Sequence, residues 1–396
     1  MTTATQTANS GAVQHGLIEH SHGYGVPIQT RNERIRSTNV ADFAPISTRE
    51  EQWRYLSADR INGLDADALS EYLGDISAKH PDSVTTQWVG ADHPLFGAAG
   101  VPEDRVSAAA WGSAEKAYLV TIPGNSESAC EVQLGIDSES DEPSALHLII
   151  DAKPFANGIV ILDHKGKATL GENVEIIVGD EANLTVISIQ DWNDDSVHIS
   201  AQFAKLGRNA KLRHVVVSLG GKTVRVSSST EFTQPGAEVE MLGLYFADAG
   251  QFLENRLYVD HAVPNCKSRV TYKGALQGER AHTVWVGDVL IRKAAEGTDT
   301  YELNRNLLLT DGARADSVPN LEIETGQIAG AGHASASGRF DDEQLFYLQA
   351  RGITEGEARR LVVRGFLNEI IQQIGNDEIQ SRLSASIEAE LARSNS

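Results

Sequence analysis

The chain has 396 residues, 41% of them hydrophobic and 22% charged, which is enough to bury a large core and to form more than one structural unit. Its formal net charge of -21 at pH 7 disfavours nucleic acid and anionic membranes as partners, and we expect neither. Cys130 and Cys266 are too few for a disulfide framework or for a metal site built of cysteines alone.

Residues 1–25 are rich in Thr, Ala, Gly and Ser and poor in apolar side chains, a composition that predicts a disordered tail. They show neither the basic segment nor the apolar segment of a secretory signal. The chain also lacks a run of 18 or more apolar residues, so we predict no transmembrane helix. Together these features lead us to expect a cytoplasmic protein.

Residues 26–114 show a mixed and partly helical pattern. Ser47 and Glu50 have the spacing of a capping box, which marks the start of a helix. Residues 65–76, with the sequence DADALSEYLGDI, place leucine and tyrosine at helical spacing. We therefore predict a small N-terminal helical region, followed by a connection rich in loops.

Residues 115–338 have a period of two. Short β-branched runs such as YLVTI, LHLII and RHVVVS are separated by Gly, Asp and Asn, which predicts more than a dozen strands and an all-β architecture. A Gly-x-x-Ala motif precedes several of these runs at spacings that suit one coil of a β-solenoid. A sandwich or barrel with recurrent turn glycines is the alternative. The motif occurs at residues 179–182, 207–210, 235–237 in a looser form, 278–281 and 312–315.

Residues 339–396 change to helical periodicity. The acidic run 341–343 suits the N-terminus of a first helix because the helix macrodipole favours negative charge there, although the same three residues have the composition of a carboxylate metal cluster. Thr354 and Glu357 form a second capping box. A last apolar stripe either packs on its own domain or binds another protein, and the sequence leaves both open. The stripe comprises Ile379, Leu383, Ile387 and Leu391.

Three segments resemble the SufB/SufD family of iron-sulfur cluster assembly proteins, and within it the SufD branch. They are HAVPNCKSRVTYKGAL at residues 261–276, NRNLLLTDGARADSVPNLEI at 304–323 and GHASASGRFDDEQLFYLQARGITEGEARRLVVRGF at 332–366. The resemblance implies a right-handed parallel β-helix between N- and C-terminal helical regions. It also implies a SufB-like partner bound through the β-helix, a SufC-like ATPase bound through the C-terminal helices, and a possible homodimer when the chain is isolated.

The resemblance further implies a transient iron-sulfur cluster or iron shared with the SufB-like partner, and possibly a reduced flavin in the complex. SufB-like proteins have a cysteine where this chain has Ala315, and some SufD proteins have one at the position of Ala331. Thiolates are the usual ligands of iron-sulfur clusters. Because both thiols are missing, His333 is the remaining candidate ligand for iron or a cluster.

Weaker candidates are His261 and Cys266, which lie five residues apart. Residues at an odd separation on a strand point to opposite faces, and Pro264 favours a turn, so joint metal binding is the less favoured interpretation. For the SufC-like ATPase we expect a surface on the C-terminal helices. It comprises Leu345, Phe346, Tyr347, Arg351, Leu361 and Phe366.

The sequence contains no Walker motif or dinucleotide fingerprint, so nucleotide hydrolysis is expected from the partner, and this chain is predicted to be a non-catalytic scaffold. The alternative is a β-helix carbohydrate-active enzyme, a polysaccharide lyase or hydrolase, which requires catalytic residues clustered along a groove. Asp260, Asp288 and Asp299 show no evident common face. Basic residues that would suit a flavin are more simply solvated charges. They are Lys273, Arg292, Lys293 and Arg305.

Overall fold

The strands of the protein coil into two parallel sheets that face each other. A computed structural model describes residues 34–125, 128–340 and 342–393, so the predicted tail at 1–25 lies outside the described residues. Most strands from residue 183 onward are ten residues long. The first part of the strand series is β1 Ser70–Glu71, β2 Asp75–Lys79, β3 Thr85–Gly90, β4 Lys116–Ile122, β5 Cys130–Ala152, β6 Asn157–Val178, β7 Asn183–Trp192, β8 Val197–Leu206 and β9 Lys211–Ser218.

The second part of the series extends to the C-terminal end of the sheets. It comprises β10 Thr223–Phe232, β11 Glu238–Ala247, β12 Phe252–His261, β13 Lys267–Leu276, β14 His282–Ile291, β15 Asp299–Leu308, β16 Arg314–Ile323 and β17 Gly330–Arg339. The helices are α1 Arg105–Ser113, α2 Asp342–Gln349, α3 Glu355–Gln373 and α4 Asp377–Arg393, with short 3-10 turns at Val40–Asp42, Glu51–Trp53 and Ala58–Arg60.

From β7 onward each strand pairs in parallel with the strand two places along the chain. β8, β10, β12, β14 and β16 form one sheet, here called the even sheet. β7, β9, β11, β13, β15 and β17 form the opposite one, the odd sheet. Each coil thus contributes one strand to each sheet. The predicted solenoid is confirmed, and a sandwich of antiparallel strands is not what forms.

The long strands β5 and β6 belong to both sheets. The first half of β6 pairs with β7 and its second half with β8, and β5 pairs with β6 along both halves. The register between them shifts at Ser140 and Pro143, where β5 turns from one sheet to the other. Antiparallel pairing is confined, among the described strands, to β2 with β5 and β3 with β4.

Alternate side chains of every coil point into the space between the sheets, here called the lumen. Because a strand has a period of two, every second residue faces inward. Val160, Leu162, Val186, Leu212 and their counterparts in other coils are nearly inaccessible to solvent and form one continuous apolar cluster. Burial of these β-branched and leucine side chains is the main driving force for stacking one coil on the next.

The predicted Gly-x-x-Ala repeat marks the corners of the coils, but at two different corners. Ala182, Ala210 and Ala237 each precede a strand of the odd sheet and lie buried in one column. Gly278 and Gly312 lie at the opposite corner, before strands of the even sheet, and both have a positive φ. The repeat therefore combines two series, each with one member per coil, because both corners need a small residue.

Both outer faces of the solenoid are covered. Apolar residues of α3 and α4 pack on the outward side chains of the odd sheet, including Ile187, Val215 and Leu244. On the even sheet, Trp53 and other residues of the N-terminal segment pack against Val197 and neighbouring side chains. The coils thus form the middle layer between two sets of helices and turns. No helix in the described part of the chain is long and apolar enough to cross a bilayer.

The helix predicted over residues 65–76 is wrong. This segment forms the short strands β1 and β2, and β2 pairs antiparallel with β5. Tyr72 and Ile76 pack against the luminal cluster, so tertiary contacts outweigh the local helical spacing. The predicted capping box at Ser47 and Glu50 does not begin an α-helix either, since a three-residue 3-10 turn follows Glu50 without a side-chain cap.

Candidate functional site

The C-terminal end of the solenoid is open. β16 pairs with β14 and β17 pairs with β15, and within the described residues neither of them has a second partner strand. Their outer edges therefore present unpaired backbone N–H and C=O groups, which are the groups that bind another strand. Both edges lie at the same end of the molecule, because β16 and β17 are the two halves of the last coil.

His333 lies on the open strand β17 and is exposed. It is in register with Glu302 of β15, and residues in register point to the same face of a sheet. Glu302 is buried, so both side chains point toward the lumen, with the histidine in the outermost layer. Ala315 and Ala331 also contact the luminal cluster from the two open strands. The structure thus brings His333, Ala315 and Ala331 together at the open C-terminal end of the solenoid.

Glu302 is a functional candidate that the sequence analysis missed. Its side chain is about 1% exposed, and neither carboxylate oxygen has a hydrogen-bond partner among the described residues. Burial, with a smaller contribution from Asp288, raises the pKa of Glu302 to about 8. A Cβ at Gly287 would lie 2.7 Å from Glu302 Oε1, so glycine leaves the space that the carboxyl group fills. An unpartnered carboxyl group thus lies in the strand next to His333 and on the same face of the sheet.

The lumen beside Glu302 is polar. The Tyr245 hydroxyl donates to Asn306 Oδ1 at 2.6 Å, and Asn304 Nδ2 donates to the Tyr245 oxygen at 2.8 Å. Ser317 Oγ of β16 donates to Asn304 Oδ1 at 2.6 Å. Asn306 Nδ2 also donates to Ser337 Oγ of β17 at 3.2 Å. The network ties both open strands to the coil below them, which fixes the geometry of the open end.

His261 and Cys266 occupy separate structural positions. His261 is buried at the end of β12, its Nε2 lies 2.9 Å from Ser268 Oγ, and burial lowers its pKa to about 3. Cys266 is buried in the corner column that follows Ala237, and burial raises the pKa of its thiol. Its Sγ lies 3.6 Å from the Pro264 carbonyl oxygen. Among the described residues, neither belongs to a group of potential ligands that could hold a metal.

The residues predicted for the ATPase surface differ in exposure. Phe346, Tyr347 and Leu361 are 73%, 55% and 49% exposed, and the Arg351 guanidinium stacks over the Tyr347 ring at 4.5 Å. Leu345 is buried among the helices. Large exposed aromatic side chains are typical of binding surfaces. The accessible part of the predicted surface therefore consists of Phe346, Tyr347, Leu361 and Arg351.

Phe366, the remaining residue of that prediction, is partly buried. Its ring lies 5.0 Å from the Lys273 ammonium, which also pairs with the Glu369 carboxylate. Lys273 and Arg305 lie side by side in the odd sheet. Arg292 instead follows β14 of the even sheet and makes two hydrogen bonds to Asp260, at 2.7 and 2.6 Å. The basic residues considered for a flavin therefore lie on two different sheets.

The apolar stripe on α4 packs on its own domain. Ile379, Leu383, Ile387 and Leu391 are all buried in the cluster that joins the helices to the odd sheet. Arg382 on the same helix makes two hydrogen bonds to the Asp163 carboxylate, at 2.7 and 2.5 Å. Of the two alternatives that the sequence left open, docking on another protein is therefore excluded for this stripe.

The helix-start predictions agree with the structure where it describes them. The Thr354 side chain accepts from the Glu357 N–H and the Glu357 carboxylate accepts from the Thr354 N–H, so the capping box of α3 is confirmed. Asp341 lies outside the described residues, and α2 begins at Asp342. Asp342 and Glu343, the described part of the acidic run, thus lie at a helix N-terminus, as predicted.

The aspartates considered for a carbohydrate-active enzyme are bound by neighbouring side chains. Arg292 pairs with Asp260, and Arg269 pairs with Asp299 at 2.6 Å. Asp288 accepts from Asn320 Nδ2 at 2.6 Å. Glycosidase chemistry needs a matched pair of carboxyl groups that flank one sugar. These three groups do not provide it, and the comparisons below do not support the enzyme alternative.

Comparison with known families gives one match over most of the solenoid. The family described as SUF system FeS cluster assembly, SufBD core domain, matches residues 135–366. That range begins within β5 and ends within α3, and it includes both open strands and the whole of α2.

Three relatives resemble the chain over different lengths. An iron-sulfur cluster assembly SufBD family protein of Mycobacterium tuberculosis is 51% identical over 91% of this chain and 93% of its own length. One from Mycobacterium leprae is 50% identical over 93% of this chain and 96% of its own length. A second SufBD family protein of M. tuberculosis is 28% identical over 51% of this chain and 24% of its own length.

Proposed function

The chain belongs to the SufBD family of iron-sulfur cluster assembly proteins, and on that basis we propose that it is a SufD-like scaffold subunit without catalytic turnover of its own. It pairs through the open end of its solenoid with a SufB-like member of the family. The observation that supports this most is the combination of two unpaired strand edges with an exposed histidine on one of the two strands.

Pairing by strand addition fits the open end. A second parallel solenoid placed edge to edge would satisfy the free N–H and C=O groups of β16 and β17 and extend both sheets. β16 contains Pro319, and proline within a sheet is characteristic of an edge strand because it has no N–H to donate. The same species can contain two different family members, as M. tuberculosis does, so a heteromeric pair has a plausible partner of the required type.

His333 and Glu302 are proposed to bind iron or a nascent cluster at the junction. An imidazole and a carboxylate are both ligands of divalent iron. Glu302 holds a proton at neutral pH in the isolated chain, because its pKa is about 8. A cation that reaches Glu302 would displace this proton. The SufB-like partner would supply the thiolates that positions 315 and 331 lack, so the iron or cluster is shared cargo.

The test of this role is cluster content in the assembled complex. The chain is co-expressed with a SufB-like paralogue and a SufC-like ATPase, and the purified complex is analysed for iron and sulfide. His333→Ala should lower the iron and sulfide content per complex by about tenfold or more, while the yield of the complex stays normal. Ser335→Ala, at the next inward position of β17, is the matched control and should behave as wild type. Normal cluster content in His333→Ala would reject the ligand role, and failure of the wild-type chains to associate would reject the scaffold itself.

ATPase docking is proposed for the exposed side chains of α2 and α3. Phe346 and Tyr347 are more than half exposed, and Leu361 is nearly so, whereas Leu345 is buried in the fold of this chain. Phe346→Ser combined with Leu361→Ser should weaken ATPase binding in a pull-down but leave pairing with the SufB-like subunit intact. Glu355→Gln, an exposed change on the same helix, is the control. Unchanged ATPase binding by the double variant would exclude this surface.

A further inference from the structure

Three buried polar side chains meet in the lumen far from the open end. His164 and Glu172 lie on β6 and His198 lies on β8, and all three have no exposed surface. One ligand atom from each lies within 4.8 Å of the other two. The imidazole rings are 5.0 Å apart between centroids. Two imidazoles and one carboxylate form a familiar ligand set for divalent transition metals.

The hydrogen bonds fix which ring nitrogens face the carboxylate. His164 Nδ1 lies 3.0 Å from the Ile189 carbonyl oxygen, which can only accept, so this nitrogen holds a proton. His198 Nδ1 accepts from the Trp192 indole N–H at 3.1 Å and lies 2.7 Å from Gln190 Oε1. Each ring therefore directs its Nε2 toward Glu172.

Both Nε2 atoms approach the same carboxylate. His164 Nε2 lies 2.9 Å from Glu172 Oε1, and His198 Nε2 lies 3.4 Å from Glu172 Oε2. His198 Nε2 makes no hydrogen bond within the described residues. Because Nδ1 of His198 accepts from the indole N–H, Nε2 holds the ring proton and faces Glu172 Oε2, and a metal ion bound between the two groups would displace that proton.

Neighbouring groups complete the arrangement expected around a metal. Ligating histidines in proteins donate their second N–H to a carbonyl or carboxylate oxygen, as His164 does here to the Ile189 carbonyl. Ser200 Oγ donates to Glu172 Oε2 at 2.7 Å and so orients the carboxylate. Metal–ligand bonds of about 2.1 Å that meet at a tetrahedral angle separate two ligand atoms by about 3.4 Å. The His198 contact to Glu172, at 3.4 Å, agrees with that value, and the His164 contact, at 2.9 Å, is shorter.

We propose that His164, Glu172 and His198 bind one divalent first-row transition metal ion, such as Zn²⁺ or Fe²⁺, inside the solenoid. The ion joins two strands that are in neighbouring coils, so it acts as a structural link rather than as cargo. Since the ligands are enclosed, the ion enters as the coils form and exchanges slowly afterwards.

Metal content of the full-length chain tests the proposal without any assay of cluster assembly. Cells expressing the chain are supplied with Zn²⁺ or Co²⁺, and the protein is purified in EDTA to remove ions from exposed sites. The wild-type chain should retain about one equivalent of metal. Glu172→Gln and His198→Gln should each retain at least about tenfold less. His214→Gln is the matched control, since His214 is buried in the lumen and bonded to Gln202 outside the cluster.

His333→Ala distinguishes this site from the open end and should retain the wild-type amount. X-ray absorption of the metal bound to the wild-type chain tests the proposal even where a variant fails to fold. The spectrum should show only nitrogen and oxygen ligands, at about 2.0–2.2 Å. Sulfur at about 2.3 Å would place the ion on a cysteine and overturn the proposal. Absence of retained metal in the wild type, or equal retention in all variants, would show that the cluster is only a hydrogen-bonded polar group.

Discussion

Replacing the buried Glu302 by glutamine should stabilise the isolated chain at neutral pH. In the folded chain the carboxyl group has a pKa of about 8, against a usual value of 4.5. Glutamine has nearly the same shape as protonated glutamate and cannot ionise. At neutral pH the carboxyl group of Glu302 is ionised in the unfolded chain and must take up a proton when the chain folds. The glutamine variant removes the free-energy cost of that proton uptake.

The direction follows from the raised pKa. Below about pH 4.5 the group is protonated in both states and costs nothing, whereas between about pH 4.5 and 8 the unfolded state is ionised and the folded state is not. Stability is thus lost as pH rises, by about 1.4 kcal/mol per pH unit. The loss is below about 1 kcal/mol at pH 5 and reaches about 3 kcal/mol at pH 7.

Urea unfolding of the full chain, followed by tryptophan fluorescence at about pH 5, 6, 7 and 8, measures this difference. The stability gain of Glu302→Gln should increase with pH across the series. Glu322→Gln, on the outward face of the open strand β16, is the control and should show no such trend. A gain that is the same at every pH, or absent, would refute the reasoning and would mean that Glu302 is already paired in solution.

Four further substitutions test the packing and the acid stability of the fold. Leu383→Ala, fully buried on α4, should cost about 2–5 kcal/mol of unfolding free energy in urea. Gly243→Ala should cost at least about 1–3 kcal/mol, because a Cβ there would lie 1.9 Å from the Tyr272 ring, whereas Gly338→Ala meets nothing within 4 Å and should be neutral in thermal melts. His261, whose pKa burial lowers to about 3, stabilises the fold above about pH 6.5 and less as pH falls toward 3, so His261→Gln should unfold at lower pH in an acid titration. Equal stability of Gly243→Ala and Gly338→Ala, or an unchanged acid midpoint, would contradict these predictions.

The solenoid could be predicted because its rules are local. Strands with a period of two and small residues at the corners recur in every coil, and each coil repeats the same packing problem. The helix start at Thr354 was equally predictable, since a capping box involves residues three positions apart. The helix expected over residues 65–76 failed for the opposite reason, because pairing with β5 is a long-range contact that the local spacing does not contain.

The candidate site was only half visible in the sequence. His333 is distinctive among small residues, and the resemblance to SufB/SufD proteins led to it directly. Glu302 was missed because β15 reverses the usual pattern: Thr300, Glu302, Asn304 and Asn306 are buried, whereas Tyr301 is exposed. A period of two predicts that successive side chains alternate between the two faces of the strand, but it does not say which face points into the lumen. The assumption of an apolar lumen would have placed Tyr301 and Leu303 inside and Glu302 outside.

The sequence by itself determined the class of fold, the family and the capping of α3, and it singled out His333 as a candidate. Each of these depends on residues that are near one another in the chain or on a long shared pattern. Only the tertiary structure decided that the stripe on α4 is internal, that Glu302 lies beneath His333, and that His164, Glu172 and His198 meet. Stacking of coils brings together residues about one coil apart, and that register is set by packing rather than by local sequence.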